Sequence, residues 1–248
     1  MKGNINLISK QINNDLCFIH IPKTAGTALR RIVKKKFINT HDIFFDYGGD
    51  SSVTSAEIKY LFYSNIEPSI KMFDVFIRSN KPILIFGHFK SKKYKNYLKS
   101  SKLYTFIREP YERVISEYFH HKIRHNLDID FENYVKESQY SNVISEYLDD
   151  IDLEKFAYVG DSRNFTNDLK LILNIENKKL HFFEVLMLNI FKTNKSLVKN
   201  QIATLLHENP RLLNKENLRK FIDKSNYKDD VIYEKYNKLL ASGTRGRT

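Results

Sequence analysis

The chain has 248 residues and a formal charge of +12, with 41 Lys and Arg against 29 Asp and Glu. That length supports one sizeable α/β domain with its own core, and 42% apolar with 28% charged residues fits a soluble globular protein. The single cysteine, Cys17, excludes a disulfide framework and a cysteine-ligated zinc site, and no apolar run reaches membrane-spanning length. The basic balance favours anionic partners. Lys outnumbers Arg by 30 to 11, however, and Asn and Ile are also abundant. An AT-rich genome gives the same bias, so charge alone decides little.

Residues 1–15 are polar and lack the continuous apolar core of a signal peptide. With no anchor in view, the expected location is cytoplasmic. Leu16-Cys17-Phe18-Ile19-His20-Ile21 is an apolar run of strand length, ended by Pro22. Lys23-Thr24-Ala25-Gly26-Thr27 is a tight loop of small residues around one cation. Leu29, Ile32, Val33 and Phe37 then recur at helical spacing, so a helix starts near Thr27. Strand, small-residue loop and helix together present backbone N–H groups and the positive end of a helix dipole to an anion. The nucleotide-binding loop G-x-x-x-x-G-K-[ST] is not matched, because the lysine precedes the glycine and no Gly-Lys-Ser/Thr follows. An ATP or GTP site is therefore unsupported.

Beyond a lysine cluster, Lys34 to Lys36, which reads as a solvated helix end, Ile43-Phe44-Phe45 forms a second strand closed by Tyr47-Gly48-Gly49. Helices follow over 55–63 and 68–79. The run 81–88 is a strand ending in Gly87-His88, the edge at which an open α/β sheet places ligand-contacting residues. Lys90, Lys92, Lys93, Lys95, Lys99 and Lys102, with Tyr94 and Tyr97, then make either a solvated helix or a basic, aromatic rim for an anionic acceptor. Leu103 to Ile107 is a strand. Arg108-Glu109-Pro110 ends it and opens a helix whose apolar stripe is Tyr111, Val114, Ile115, Tyr118 and Ile123. Short helices occupy 131–152, a strand 156–160, and a helix begins at Phe165 with Leu169, Ile172 and Leu173 on its core face. Residues 180–193 are apolar without a clear assignment. No repeat or linker divides the chain, so one domain is expected over 1–240, with a disordered tail over 241–248.

Two stretches resemble a known family. HIPKTAGTAL closely resembles the 5′-phosphosulfate loop of sulfotransferases, in particular the carbohydrate branch containing heparan sulfate 2-O-sulfotransferase. LYTFIREPYERVISEYF resembles the family's 3′-phosphate motif, R-x-P-x-x-R-x-x-S, with Arg108, Pro110, Arg113 and Ser116 at its fixed positions. Val159-Gly160 through Phe165 resembles a third segment, V-G-x-T-E-R-F, keeping Val159, Gly160 and Phe165, with Arg163 one place before the family's Arg. Asn226, Asp229 and Tyr233 echo its N-x-x-D-x-x-x-Y ending. The likeness is strong over roughly 16–37 and 83–120 and thin elsewhere.

The resemblance implies a three-layer, P-loop-like α/β fold with a central, mostly parallel sheet flanked by helices. It also implies a sulfotransferase using 3′-phosphoadenosine 5′-phosphosulfate (PAPS), with a saccharide acceptor and neither metal nor nucleic acid. On that basis Lys23, Thr24, Ala25, Gly26, Thr27 and Ala28 hold the 5′ end of the donor, with the Thr24 and Thr27 hydroxyls as added donors. Arg108 and Ser116 hold its 3′-phosphate, and Arg163 belongs to the same donor-binding set. Arg113 either assists or forms a salt bridge to Glu109 or Glu117. Lys23 stabilises charge on the leaving phosphate. His88 is the expected base, because histidine titrates near neutrality and Phe86-Gly87-His88-Phe89 resembles the branch's Gly-His segment; His20, inside a strand, reads as structural. The competing readings are a non-catalytic binder of anionic glycan or nucleic acid and, more weakly, a nucleotide kinase.

Overall fold

The computed structural model describes residues 15–64, 81–94, 101–126, 128–148, 151–181, 184–185, 188, 194–209 and 214–243. Within them the apolar runs become strands β1 (Leu16–His20), β2 (Asp42–Asp46), β3 (Ile83–Gly87), β4 (Lys102–Ile107) and β5 (Tyr158–Asp161). They form one sheet in the order β2-β3-β1-β4-β5, parallel at every pairing. β1 is central, with Leu16 opposite Leu84 on one side and Lys102 on the other. A parallel sheet brings the carboxyl ends of all its strands to one edge. Here that edge carries His20, Asp46, Gly87, Ile107 and Asp161.

The helices are α1 (Gly26–Phe37), α2 (Ala56–Phe62), α3 (Pro110–Arg124), α4 (Phe131–Lys136), α5 (Val143–Leu148), α6 (Phe165–Ile175), α7 (Asn194–Glu208), α8 (Lys215–Ser225) and α9 (Tyr227–Ala241). Alternation along β1 sorts them into layers. Leu16 and Phe18 face Leu29, Val33 and Phe37 of α1 and Leu169 and Ile172 of α6. Cys17 and Ile19 face the other way, toward Ile58 of α2, Val143 and Ile144 of α5, and Tyr233 of α9. Each such side chain contributes roughly 1.5–3 kcal/mol when fully buried. Tyr111, Val114, Ile115 and Tyr118 of α3 build a further core with α4, α7 and α8. The result is the expected three-layer α/β fold. Cys17 is 3% exposed and packs as a small apolar residue.

Several local expectations are corrected. Ile123 is 72% exposed, so the apolar stripe of α3 ends before it, and the last turn is held instead by His121 against Tyr134 and Tyr140 and by Lys122 with Glu208. The Lys34–Lys36 cluster is not simply solvated: Lys35 and Lys36 reach Glu184 at 2.8 and 2.6 Å, and Lys36 is buried doing so. The basic rim is partly consumed by ion pairs. Lys90 binds Glu146 at 2.8 Å, Lys93 binds buried Asp46 at 2.7 Å and Lys102 binds Glu176 at 3.0 Å. The helix expected over 68–79, residues 95–100, most of 180–193 and the tail over 244–248 lie outside the described residues. Among the described residues no helix is long and apolar enough to cross a membrane.

Candidate active site

The loop after β1 is shaped by backbone that L-residues rarely adopt. Lys23 and Ala25 have φ of 68° and 67°, each a left-handed conformation costing about 1–2 kcal/mol. Such alternation turns successive N–H groups inward as an anion-binding concavity. α1 then begins at Gly26 with Ala25 as its N-cap, no side-chain cap and no acid in its first turn. Its first N–H groups therefore lack the side-chain acceptor that usually covers them. Thr24 is fully buried and its hydroxyl donates to the Ile21 carbonyl at 2.8 Å. This corrects the expectation of a free Thr24 hydroxyl, since only its main chain is left for a ligand. Thr27 is exposed and Ala28 half-buried on the first turn.

Gly26 is required by contact. A Cβ there would lie 1.6 Å from Cε1 and Nε2 of His20. The loop thus sits directly on the ring that ends β1. The Lys23 side chain is half-buried against α3. Burial draws its ammonium below the usual lysine range, Glu117 opposes this, and Arg108 and Arg124 add to it.

The second motif meets the first in space. Arg108 leaves β4 with 9% exposure. Its Nη1 donates to the Lys23 carbonyl at 3.3 Å and its Nε to Glu112 at 3.3 Å. Ser116 lies half-buried two turns into α3. Arg113 is fully buried, bonded to Glu117 and, through Nη2, to the Tyr140 carbonyl at 3.1 Å, with Asp229 at 4.0 Å. Of the two roles open to Arg113 the structure shows the ion pair, with Glu117. Arg163 stands beyond β5, bonded to Asp161 at 2.8 Å and Tyr233, with Glu109 at 3.6 Å. It is part-exposed and already paired with two carboxylates.

The closing motif is explained by the same network. Asp229 accepts the N–H groups of Ile144 and Ser145 at 3.0 and 2.8 Å, capping α5, and Asn226 accepts from the Asn142 N–H at 3.0 Å. Tyr233 donates to Asp161 at 3.2 Å. These residues brace the floor under Arg113 and Arg163.

His88 follows β3, its N–H donating to the Asp46 carbonyl at 2.7 Å. Its ring centroid is 4.2 Å from His20, 4.7 Å from Tyr47 and 6.2 Å from Tyr147. The Arg30 guanidinium lies 5.4 Å over the Tyr47 ring. Burial and then the Arg30 charge lower the His88 pKa to about 4, with Asp46 opposing, so the ring is neutral at pH 7 and a weaker base than the near-neutral histidine that the sequence suggests. Beneath it Asp46 is fully buried and accepts from Tyr63, Lys93 and Tyr94 at 2.9, 2.7 and 2.8 Å. Sequence reasoning missed Arg30, Asp46 and Tyr47. The signal for the last two was their place at the carboxyl end of β2, beside His88. It also missed His120 on α3, whose pKa burial and then Lys23 hold near 4. Among the described residues no group of three or more His, Cys, Asp or Glu is placed to hold a metal ion.

The arrangement is a backbone cradle with one lysine, a buried arginine touching that cradle, and a neutral histidine on its other side. That combination suits transfer of an anionic group from a phosphate, where the protein mainly positions reactants and offsets charge. A search of curated proteins gives no match. Among solved structures the chain is similar to mouse sulfotransferase SULT7A1 complexed with PAP, at 12% identity, covering 76% of this chain and 70% of that one with a TM-score of 0.47. It is also similar to a sulfotransferase from Alicyclobacillus acidocaldarius, at 13% identity, covering 78% and 94% with a TM-score of 0.43. The model of the sulfotransferase family (Sulfotransfer_2) matches residues 10–167, which hold the cradle, Arg108, Ser116, His88 and Arg163. The chain belongs to the sulfotransferase family.

Proposed function

We propose that this sulfotransferase takes its sulfuryl group from PAPS and delivers it to a hydroxyl of a saccharide acceptor, as in the carbohydrate branch that its loop resembles. The N–H groups from Thr24 to Ala28 and the Lys23 ammonium hold the 5′-phosphosulfate. Arg108 and Ser116 hold the 3′-phosphate, with Arg163 beside them. The acceptor oxygen forms a bond to sulfur as the sulfur–phosphate oxygen bond breaks. Lys23 and the cradle offset the charge that grows on the departing phosphate. His88 accepts the hydroxyl proton, and adenosine 3′,5′-bisphosphate (PAP) leaves. Remote binding through Arg108 orients the reacting end of the donor.

The observation that carries this reading is the contact of Arg108 with the Lys23 carbonyl at 3.3 Å, because it brings together the two segments that resemble phosphate motifs, 85 residues apart in sequence. The test is a thermal-shift titration with PAP at several salt concentrations. A saturable shift that persists at high salt supports a donor site, since a specific ligand stabilises by mass action. Absence of saturation, with polyanion binding that collapses as salt rises, overturns it in favour of a non-catalytic anion binder.

A further inference from the structure

We propose that His20 is a positioning residue for the transfer reaction: seated against Gly26 of the donor loop, its imidazole sets His88 and Tyr47 in register. This rests on the proposed role of His88 as the base. His20 ends β1, 7% exposed, on the α1 side of the sheet. Its ring edge fills the space where Gly26 lacks a side chain. Its face lies against His88 at 4.2 Å, and its Nδ1 is 3.2 Å from the Tyr47 hydroxyl. Tyr47 in turn sets its ring edge against His88 at 4.7 Å.

The protonation pattern follows from what Nε2 lacks. Nε2 is buried and has no hydrogen-bond partner among the described residues. A proton there would bury an unpaired N–H donor, whereas a lone pair opposite Gly26 costs less. The proton therefore sits on Nδ1 and is donated to the Tyr47 oxygen. Tyr47 keeps its own hydroxyl proton, and its oxygen also takes a hydrogen bond from Arg30. Desolvation, with the charges of Arg30 and Lys23, disfavours a cationic His20 and holds its pKa well below the ordinary histidine value. A buried ring fixed at its edge, face and Nδ1 has one orientation. His88, flanked also by Arg30 from α1, Asp46 from β2 and Tyr147 from α5, takes its ring plane from that surface.

The test compares His20→Leu with His20→Phe in the full chain. Three readouts are used: PAP affinity, the His88 titration and His88–Tyr47 proximity by NMR, and PAP released from PAPS. Both variants are expected to bind PAP within about threefold of wild type. In His20→Leu the His88 midpoint rises by about one pH unit or more toward the free value, the His88–Tyr47 proximity signal is lost, and kcat falls with KM for PAPS unchanged. In His20→Phe, which keeps a ring against His88, the midpoint and the proximity signal remain. Should His20→Leu fail to fold, His20→Asn, which keeps a polar atom at the Nδ1 position but no ring, carries the same expectation for His88. An unchanged His88 midpoint and proximity signal in the ring-less variant overturns the positioning role and leaves the donor site standing. Failure of the wild-type chain to bind PAP overturns the PAPS assignment itself, and this inference with it.

Discussion

Replacing Gly26 by Ala tests the seat of the donor loop. The new Cβ would stand 1.6 Å from two ring atoms of His20 and 2.4 Å from a third, where ordinary contact begins at 3.4 Å. The ring would have to retreat by roughly 1.8 Å, the difference between 3.4 and 1.6 Å. His88 at 4.2 Å and Phe86 at 5.6 Å stand in its way. Overpacking of this kind costs about 1–3 kcal/mol, against a gain of up to about 1 kcal/mol from Ala in a helix. A net loss of about 1 kcal/mol lowers Tm by about 2–4 °C in a chain of this size. The same loop displacement is expected to weaken PAP by at least about tenfold, or 1.4 kcal/mol. Removing the obstruction as well, in Gly26→Ala with His20→Ala, is expected to recover part of the PAP affinity. Calorimetric titration and a thermal melt read both quantities. A Gly26→Ala protein with wild-type Tm and wild-type PAP affinity would refute the contact and the reasoning built on it.

Lys23→Ala is expected to lower turnover by about 10²–10³ with Tm unchanged, as for loss of one transition-state donor; full activity would remove Lys23 from the mechanism. Arg108→Ala is expected to weaken PAP by about 10–150-fold, the equivalent of a charged hydrogen bond of 1.5–3 kcal/mol, and Ser116→Ala by less than about tenfold; titration of both variants with PAP measures this. Arg113→Ala is predicted to act on stability, because it strands Glu117 and Asp229 in the interior. Losing one partner of a buried pair costs about 3–5 kcal/mol, so a melt within a few degrees of wild type would contradict the assignment. The pH dependence has a defined sign. The His88 pKa is about 4 in the folded chain against an ordinary 6.5, so between those values the unfolded chain holds more protons. Its contribution is complete above pH 6.5 and is lost as pH falls toward 4. The slope is about 1.4 kcal/mol per pH unit, and melts of His88→Phe across this window should show a flatter dependence.

Most of the frame was legible because each strand of a buried parallel sheet is a short apolar run, and the helices on it show a one-sided stripe. Leu16 to Ile21 and Leu103 to Ile107 needed no tertiary information. Ile123 misled because periodicity does not report where a packing partner stops. The lysine clusters misled because a local reading cannot see Glu184 or Asp46 arriving from distant segments. In the site, the loop was readable from its small residues and one cation, and Arg108 from the resemblance of its motif. The committed hydroxyl of Thr24 was not, nor was the ring of residues around His88, which depends on which strand ends adjoin; the pairing of Arg113 with Glu117 was one of two partners its helix offered, and only its burial was hidden. Gly26 announced itself in both views, as a small residue in sequence and as the space that His20 fills in the fold.

The most direct test of the account is a crystal structure of the chain with PAP bound. The account predicts the 5′-phosphate on the N–H groups of residues 24–28 beside Lys23, and the 3′-phosphate on Arg108 and Ser116. Nucleotide lodged elsewhere, or bound at one of these places with the other empty of phosphate, would contradict it.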